Sequence, residues 1–172
     1  FFCTGIHDPQ SEKKLNLDKI KKIMNVNFFG TMNSINAVYN YYKEKKSGQI
    51  SIVSSVAGYR GLPAGGAYCA SKAALTTFTE SLYFDLKRFN VRVSVVSPGF
   101  IKTPMTDQND FPMPMIKSPE FAAEEIFKGL TKSNSFEIHF PKLFTFIMKI
   151  LKVMPNWLYL KIVKKGMSLI GR

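Results

Sequence analysis

The sequence predicts an α/β fold in which helices pack on the faces of a parallel β-sheet. Two short, β-branched segments, residues 49–54 and 91–96, alternate with long segments of helical pattern. That alternation is typical of strands joined by right-handed helical crossovers. The chain has 172 residues, of which 45% are hydrophobic and 13% aromatic. This composition indicates one globular domain with a buried core and argues against disorder.

The two long helices are predicted from different signals. Over residues 17–42 the apolar side chains recur at helical spacing, and Asn16 provides an N-cap. Residues 67–88 contain neither Gly nor Pro and are rich in Ala, Leu, Lys and Glu, which favours a second long helix. Between the helices, residues 49–54 are short and apolar, as in a strand buried inside a parallel sheet. A loop rich in Gly and Pro, residues 58–66, follows that strand.

The second half of the chain alternates in the same way. Residues 103–117 carry three prolines and no regular period, so we expect a loop there. Ser118 followed by Pro119 provides an N-cap and a favourable first helical residue, which predicts a helix that continues through Leu130. Residues 136–140 predict a last short strand.

The charge and the cysteines restrict the function classes. Lys and Arg number 24 against 12 Asp and Glu, a formal net charge of +12, which favours an anionic partner. The basic residues form no recognisable nucleic-acid module, so we expect no nucleic-acid binding. Cys3 and Cys69 have neither disulfide nor metal-ligand spacing, which predicts a cytoplasmic location and no metal site. No stretch reaches the roughly 18 uninterrupted apolar residues of a membrane span.

Tyr68 and Lys72 are the most informative residues for chemistry. They lie four residues apart in a predicted helix and therefore share one face, about 6 Å apart along the axis. A nearby ammonium favours the phenolate, so we expect Lys72 to lower the pKa of Tyr68 and make it an acid/base group. Ser55 follows a predicted strand, at the sheet end where α/β proteins bind ligands. Taken singly, each of the three is more often a packed or solvated structural residue.

The combination resembles a known family. Residues 54–75, SSVAGYRGLPAGGAYCASKAAL, resemble the short-chain dehydrogenase/reductase family, in which a Ser stands thirteen residues before the Tyr of a YxxxK motif. Ser55, Tyr68 and Lys72 match this pattern in residue type and spacing. The resemblance implies a Rossmann-like fold for residues 1–140.

Two flanking motifs extend the resemblance. Asn27, in NVNFFG, is similar to the catalytic asparagine of the family's long helix. Without the resemblance, Asn27 reads equally well as a hydrogen-bonded core amide. The segment SPGFIKT is similar to the family's segment that meets the nicotinamide. The resemblance thus implies a cofactor-binding set composed of Gly5, Tyr68, Lys72, Pro98, Gly99, Ile101 and Thr103.

The resemblance implies an oxidoreductase that uses NAD or NADP to interconvert a carbonyl and an alcohol. In that chemistry Tyr68 exchanges the proton of the substrate oxygen while Ser55 stabilises the developing oxyanion. Lys72 lowers the pKa of Tyr68 and binds the nicotinamide ribose, and Asn27 holds a water of the proton relay. The family resemblance also implies a homodimer or homotetramer, formed through the helices at residues 17–42 and 67–88.

One family element is missing from the sequence. The family fold opens with a glycine-rich TGxxxGxG turn that binds the pyrophosphate, and no such turn occurs in the chain. The match begins at FFCTG, where only Gly5 keeps the family's NNAG motif. We therefore expect the chain to be the carboxyl-terminal part of the fold, without its first βαβ units and with weak cofactor affinity on its own.

The loop at residues 103–117 provides a prediction about the substrate. Met105, Phe111, Met113, Met115 and Ile116 give the loop an apolar character, which favours an apolar or acyl-type substrate or, equally, a loop pinned to the core.

Residues 141–172 form a basic amphipathic helical tail that we expect to pack on the domain. Lys142, Thr145, Lys149, Lys152 and Asn156 trace a polar stripe on it. Such helices also suit peripheral contact with a membrane. The alternative to the enzyme is therefore a truncated, inactive relative that serves as a membrane or protein-interaction module.

Overall fold

A parallel sheet forms the centre of the molecule. The computed structural model describes residues 1–8 and 15–169. Its three strands are hydrogen-bonded in chain order and all run in parallel: β1 Gly48–Val53, β2 Val91–Pro98 and β3 Glu137–Phe140. Phe2 extends the sheet beside β1, because its backbone forms a parallel bridge with Ile52. The predicted parallel α/β fold with flanking helices, Rossmann-like in its architecture, is confirmed.

Helices cover both faces of the sheet. They are α1 Leu17–Met24, α2 Gly30–Lys45, α3 Gly66–Lys87, α4 Pro119–Lys132, α5 Lys142–Val153 and α6 Asn156–Leu169. Val93 packs with Ile35 of α2 and Leu75 of α3. Val96, three residues further along β2, instead packs with Ala122 of α4. Because successive strand side chains point to opposite faces, α2 and α3 lie on one face and α4 lies on the other.

Local signals predicted these elements well, with one difference in the first long helix. Residues 17–42 are helical as predicted, but a five-residue π-helical turn, Asn25–Phe29, separates α1 from α2. Such turns interrupt α-helices by one extra residue and occur frequently at functional sites. The predicted cap of α4 is confirmed, because Ser118 Oγ accepts a hydrogen bond of 3.2 Å from Phe121 N.

The tail packs on the loop that follows β1. The Arg60 guanidinium donates hydrogen bonds to Leu151 O at 2.8 Å and to Met154 O at 2.6 Å, which satisfies carbonyls at the end of α5. The same guanidinium stacks 4.0 Å from the ring centroid of Tyr159 in α6. The buried Tyr159 hydroxyl donates to Gly61 O. These contacts hold α5 and α6 against residues 60–61.

Two members of the polar stripe, Thr145 and Lys149 of α5, contact β3, whereas Lys142, Lys152 and Asn156 are exposed. Thr145 is fully buried and its Oγ1 lies 2.6 Å from His139 Nδ1, while Lys149 Nζ forms a 2.6 Å ion pair with Glu137. Tyr59 also donates a hydrogen bond to the Glu137 carboxylate. Burial alone raises the pKa of Glu137, but the hydrogen bonds from Lys149 and Tyr59 outweigh it and hold the pKa below its ordinary value of 4.5. Thr145 and Lys149 therefore join α5 to the sheet through polar contacts.

Candidate active site

The candidate residues meet at the carboxyl ends of the strands. Ser55 follows the end of β1 by two residues, and Gly99 follows β2 directly. Tyr68 and Lys72 lie in the first two turns of α3, which begins at Gly66. Open α/β sheets bind ligands at this edge, because the loops that leave parallel strands converge there.

Tyr68 and Ser55 form the polar centre of the site. The Ser55 hydroxyl lies beside the Tyr68 side chain and acts to lower the pKa of its phenol. Ser55 Oγ also accepts a 3.1 Å hydrogen bond from Ala57 N, which caps the short 3-10 turn Val56–Gly58 and fixes the position of the serine. The His7 ring packs against the Tyr68 ring at an interplanar angle of 51°, with ring centroids 4.7 Å apart.

The pKa of Tyr68 is shifted upward, opposite to the net direction that its spacing from Lys72 predicts. Burial raises the pKa of Tyr68 to about 12 although the neighbouring Ser55 hydroxyl acts to lower it, and burial lowers the pKa of Lys72 to about 8. Lys72 Nζ donates a 3.0 Å hydrogen bond to Val53 O and lies 5.7 Å from the Tyr68 ring centroid. The expectation from the sequence was wrong here because spacing along a helix carries no information about burial.

Asn27 lies inside the π-helical turn and is fully buried. Its Oδ1 accepts a 2.7 Å hydrogen bond from Ile6 N, and its Nδ2 donates to Ile6 O and Ser71 Oγ, both at 3.0 Å. The amide therefore ties the segment after Gly5 to the residue before Lys72. Both Nδ2 donors are engaged by protein atoms. A water-holding role for Asn27 stays a prediction, whereas its side chain has the geometry of a positioning group.

Gly58 determines how closely the loop after β1 approaches α3. A Cβ at this position would lie 2.8 Å from the backbone C of Lys72 and 2.9 Å from its O. Backbone atoms in the middle of a packed helix cannot move aside cheaply. Because Gly58 has no side chain, the turn after β1 can pack closely on α3 and so fix the position of the Lys72 backbone.

We expect Gly58→Ala to lower the free energy of unfolding by ~1–3 kcal/mol, because an overpacked methyl displaces the backbone of α3. Gly61→Ala is the matched control in the same loop, because a Cβ there has nothing within 4 Å. Urea unfolding followed by circular dichroism measures both changes. Equal stability of the two variants would contradict the importance of this contact.

The SPGFIKT segment contributes to the site at one end. Gly99 N donates a 2.7 Å hydrogen bond to Phe140 O, and Gly99 lines the cavity described below. Thr103 N donates to Thr106 Oγ1 at 2.9 Å and so opens a short 3-10 turn, Thr106–Gln108. Pro98, Ile101 and Thr103 are not among the residues that line the cavity. Ile101 pairs instead with Lys117 across the base of the loop.

A cavity of about 460 Å³ opens beside Tyr68 and Ser55. This volume falls within the range of sites for small organic ligands. Most of its lining is apolar and comes from three parts of the chain, including Leu62, Phe100, Met105, Phe111, Phe144 and Met148. The two hydroxyls thus lie at the wall of a largely apolar chamber.

The cavity corrects the sequence-based view of the loop and the tail. Of the five apolar loop residues singled out above, Met105 and Phe111 line the cavity, whereas Met113, Met115 and Ile116 do not. Three tail residues, Phe144, Met148 and Met167, line it as well, and so does His7. Sequence reasoning missed these because they approach the site only through tertiary packing. The one available signal was the position of His7, two residues after Gly5.

Comparison with known proteins agrees with this geometry. Residues 1–112 match the family model described as short chain dehydrogenase. The chain belongs to the short-chain dehydrogenase family. It is 37% identical to an oxidoreductase of Myxococcus xanthus over 155 residues, 90% of this chain and 61% of that protein. The chain therefore spans about three fifths of that family member's length.

The chain is also similar to a second named relative and to a solved structure. Over 93 residues, 54% of this chain and 35% of the relative, the chain is 36% identical to a 3-ketodihydrosphingosine reductase of Bacteroides thetaiotaomicron. Among solved structures, it is similar to a short-chain dehydrogenase of Burkholderia cenocepacia in complex with NADP. That match has a TM-score of 0.78 and 27% identity, and covers 91% of this chain and 65% of the other.

Proposed function

We propose that this chain carries the proton-transfer centre of an NAD(P)-dependent oxidoreductase that interconverts a carbonyl and an alcohol on an apolar or acyl-type substrate. The observation that carries the proposal is the placement of the Ser55 and Tyr68 hydroxyls together at the wall of a largely apolar cavity. Two adjacent hydroxyls suit one substrate oxygen, and the apolar chamber suits the rest of the molecule.

The donors around Lys72 fit the ribose end of a nicotinamide nucleotide. Among residues 1–8 and 15–169, Lys72 Nζ donates one hydrogen bond, to Val53 O, although an ammonium carries three donors. A Cβ at Gly5 would lie 3.4 Å from this nitrogen, so glycine leaves the approach to it open. Tyr68 and Lys72, with Gly99 nearby, would hold this part of the cofactor. The sequence holds no glycine-rich turn for the pyrophosphate, so the fit concerns the nicotinamide side.

The mechanism assigns a task to each hydroxyl. A reduced nicotinamide held by Tyr68 and Lys72 would supply the hydride for the carbonyl carbon. Tyr68, whose pKa of about 12 keeps it protonated at neutral pH, gives its proton to the carbonyl oxygen as negative charge develops there. Ser55 donates a hydrogen bond to the same oxygen and stabilises that charge. In the reverse direction the phenolate of Tyr68 accepts the proton of the alcohol.

Lys72 and Asn27 support this transfer. The Lys72 ammonium stabilises the phenolate that Tyr68 becomes, because opposite charges attract strongly where water is excluded. With a pKa of about 8, Lys72 is mostly charged at neutral pH. Asn27 holds the Ile6 backbone and Ser71 Oγ, and so positions the groups on both sides of Lys72.

The lining of the cavity favours a lipid-like substrate. Phe100, Phe144 and Met148 present ring and thioether surface to a ligand, and Met side chains adapt to irregular apolar shapes. A similar chain from Bacteroides thetaiotaomicron bears the name 3-ketodihydrosphingosine reductase. We include the apolar ketone or aldehyde class in the proposal for this reason.

A substrate series tests the proposal. We expect the purified full-length protein to oxidise NADPH or NADH with saturated aldehydes and ketones, and kcat/KM to rise as the alkyl chain lengthens, because each added CH₂ buried in the cavity contributes ~0.8 kcal/mol. Hydroxylated aldehydes of equal length are the control. A preference for the hydroxylated series, or no turnover with either series, would contradict the proposal.

The proposal includes a homodimer or homotetramer formed through the long helices. Phe29, Tyr41 and Phe84 are large and exposed there, on the π-helical turn, α2 and α3. Aromatic side chains of this kind are enriched at the centres of protein interfaces.

A further inference from the structure

The outward side of α5 is apolar along its whole length. Leu143, Phe146, Ile147, Ile150 and Val153 are between 43% and 81% exposed. Their spacing of three, one, three and three residues places them on one side of the helix. We call these five residues the α5 apolar face. Contiguous exposed apolar surface of this kind indicates a binding surface.

The α5 apolar face is fixed in its outward orientation. On the opposite side of the helix, Thr145 is bonded to His139 and Lys149 is paired with Glu137. Met148 is buried on the same inward side and packs with Tyr59. Rotating the apolar residues into the core would break these contacts and expose the cavity. The inward side of α5 therefore binds the domain, which leaves the outward α5 apolar face for a separate partner.

The charged residues of α5 and α6 are all lysines. Residues 138–172 contain no Asp or Glu, and Lys142 and Lys152 of α5 are exposed. In α6, Lys161, Lys164 and Lys165 are exposed too. Trp157 and Leu160 precede them, 68% and 62% exposed. Exposed Trp and Leu with lysines are typical of helices that lie in a membrane interface.

The positive charges distinguish between two partners for the α5 apolar face: a second copy of this chain and an anionic lipid surface. A two-fold interface places the same patch of both copies face to face, and here that would bring two sets of lysines together without acidic residues from residues 138–172 to pair them. An anionic lipid surface instead supplies both negative headgroups and apolar chains. Within the described residues no helix is long and apolar enough to cross a membrane.

We propose that the α5 apolar face and the lysines of α6 bind the surface of an anionic membrane, with α5 lying in the plane of the interface. Phe144 and Met148, on the inner side of the same helix, line the cavity. The helix that contacts the lipid therefore also forms a wall of the chamber for an apolar substrate. This last link rests on the proposed function, whereas membrane binding does not.

Vesicle flotation tests the proposal without any measurement of turnover. We expect the purified full-length protein to float with phosphatidylcholine vesicles that contain about 30% phosphatidylglycerol and to bind pure phosphatidylcholine much more weakly. Phe146→Glu should reduce binding to the anionic vesicles at least about tenfold, because it removes buried apolar area and adds a like charge. Phe127→Glu on α4 is the matched control, because Phe127 is 63% exposed against 61% for Phe146.

A matched pair of double variants tests the contribution of the lysines to vesicle binding. Lys161→Gln with Lys164→Gln should weaken anionic binding, whereas Lys21→Gln with Lys22→Gln, the same charge change on α1, should not. Circular dichroism checks that each variant is folded. Absence of binding to anionic vesicles, or equal binding of the Phe146 and Phe127 variants, would overturn the proposal. So would conversion of an oligomer to monomers by Phe146→Glu with vesicle binding unchanged, since the face would then be a contact between copies.

Discussion

Tyr68→Phe is expected to lower kcat/KM for carbonyl reduction by ~10²–10⁴, the usual contribution of a general acid. The substitution removes only the hydroxyl oxygen, so the ring stays packed on His7 and the wall of the cavity keeps its shape. Dissociation constants for NADPH and NADH should change little, because Lys72 and the residues near Gly5 remain. Steady-state kinetics and fluorescence titration of the cofactor measure the two effects separately.

Tyr83→Phe is the control for Tyr68→Phe. Tyr83 lies in the same helix, α3, and packs at the edge of the core beside Leu82 and Phe136 rather than in the cavity. Its variant loses the same atom and should keep full activity. Undiminished turnover of the Tyr68 variant would remove Tyr68 from the mechanism, whatever the control shows.

Lys72→Met is expected to impair both cofactor binding and turnover. Methionine keeps an apolar stem of similar length in the buried site but removes the ammonium. The Kd for the cofactor should rise about ten- to a hundredfold, because a hydrogen bond to a charged group contributes ~1.5–3 kcal/mol. The loss of the charge that stabilises the Tyr68 phenolate should lower kcat by roughly a further 10²–10³.

The pH profile distinguishes the charge of Lys72 from a merely structural role. Burial lowers the pKa of Lys72 to about 8, so its ammonium is lost as the pH rises through that value. Because kcat/KM reports the free enzyme, it should fall above pH 8 in the natural protein. The Lys72→Met variant should show no such decline. Lys87→Met, on the exposed end of the same helix, should keep the natural profile and rate. If kcat/KM of the Lys72→Met variant fell in the same way above pH 8, the titrating group would not be Lys72.

The fold was largely predictable from the sequence because its signals are local. The β-branched segments of β1 and β2, the uninterrupted helical composition of α3 and the Ser118 cap of α4 each act within a few residues. The π-helical turn Asn25–Phe29 was not predictable, because one inserted residue leaves the apolar spacing of the helix nearly unchanged.

Three side chains of the candidate site were predictable from the sequence, but the electrostatics of the site was not. The spacing of Ser55, Tyr68 and Lys72 identified the side chains, and the structure places them at one edge of the sheet. The directions of the pKa shifts of Tyr68 and Lys72 depend on burial, which is a tertiary property and overrides the effect of spacing.

The orientation of α5 on the domain likewise could not be predicted from the sequence. Amphipathic spacing defines two sides of α5 but does not say which side meets the domain. The choice is made by Glu137 and His139 on β3, which bind Lys149 and Thr145. The approach of Phe144 and Met148 to the cavity follows from that choice.

Transfer of a labelled hydride tests the central claim most directly. The full-length protein would be incubated with NADPH or NADH deuterated at C4 of the nicotinamide and with a long-chain ketone or aldehyde, and the product alcohol analysed by mass spectrometry. We expect one deuterium bound to the carbinol carbon, with the Tyr68→Phe protein forming this product far more slowly. Cofactor binding without any deuterium in the alcohol, across the aldehyde and ketone series, would contradict the proposed hydride transfer.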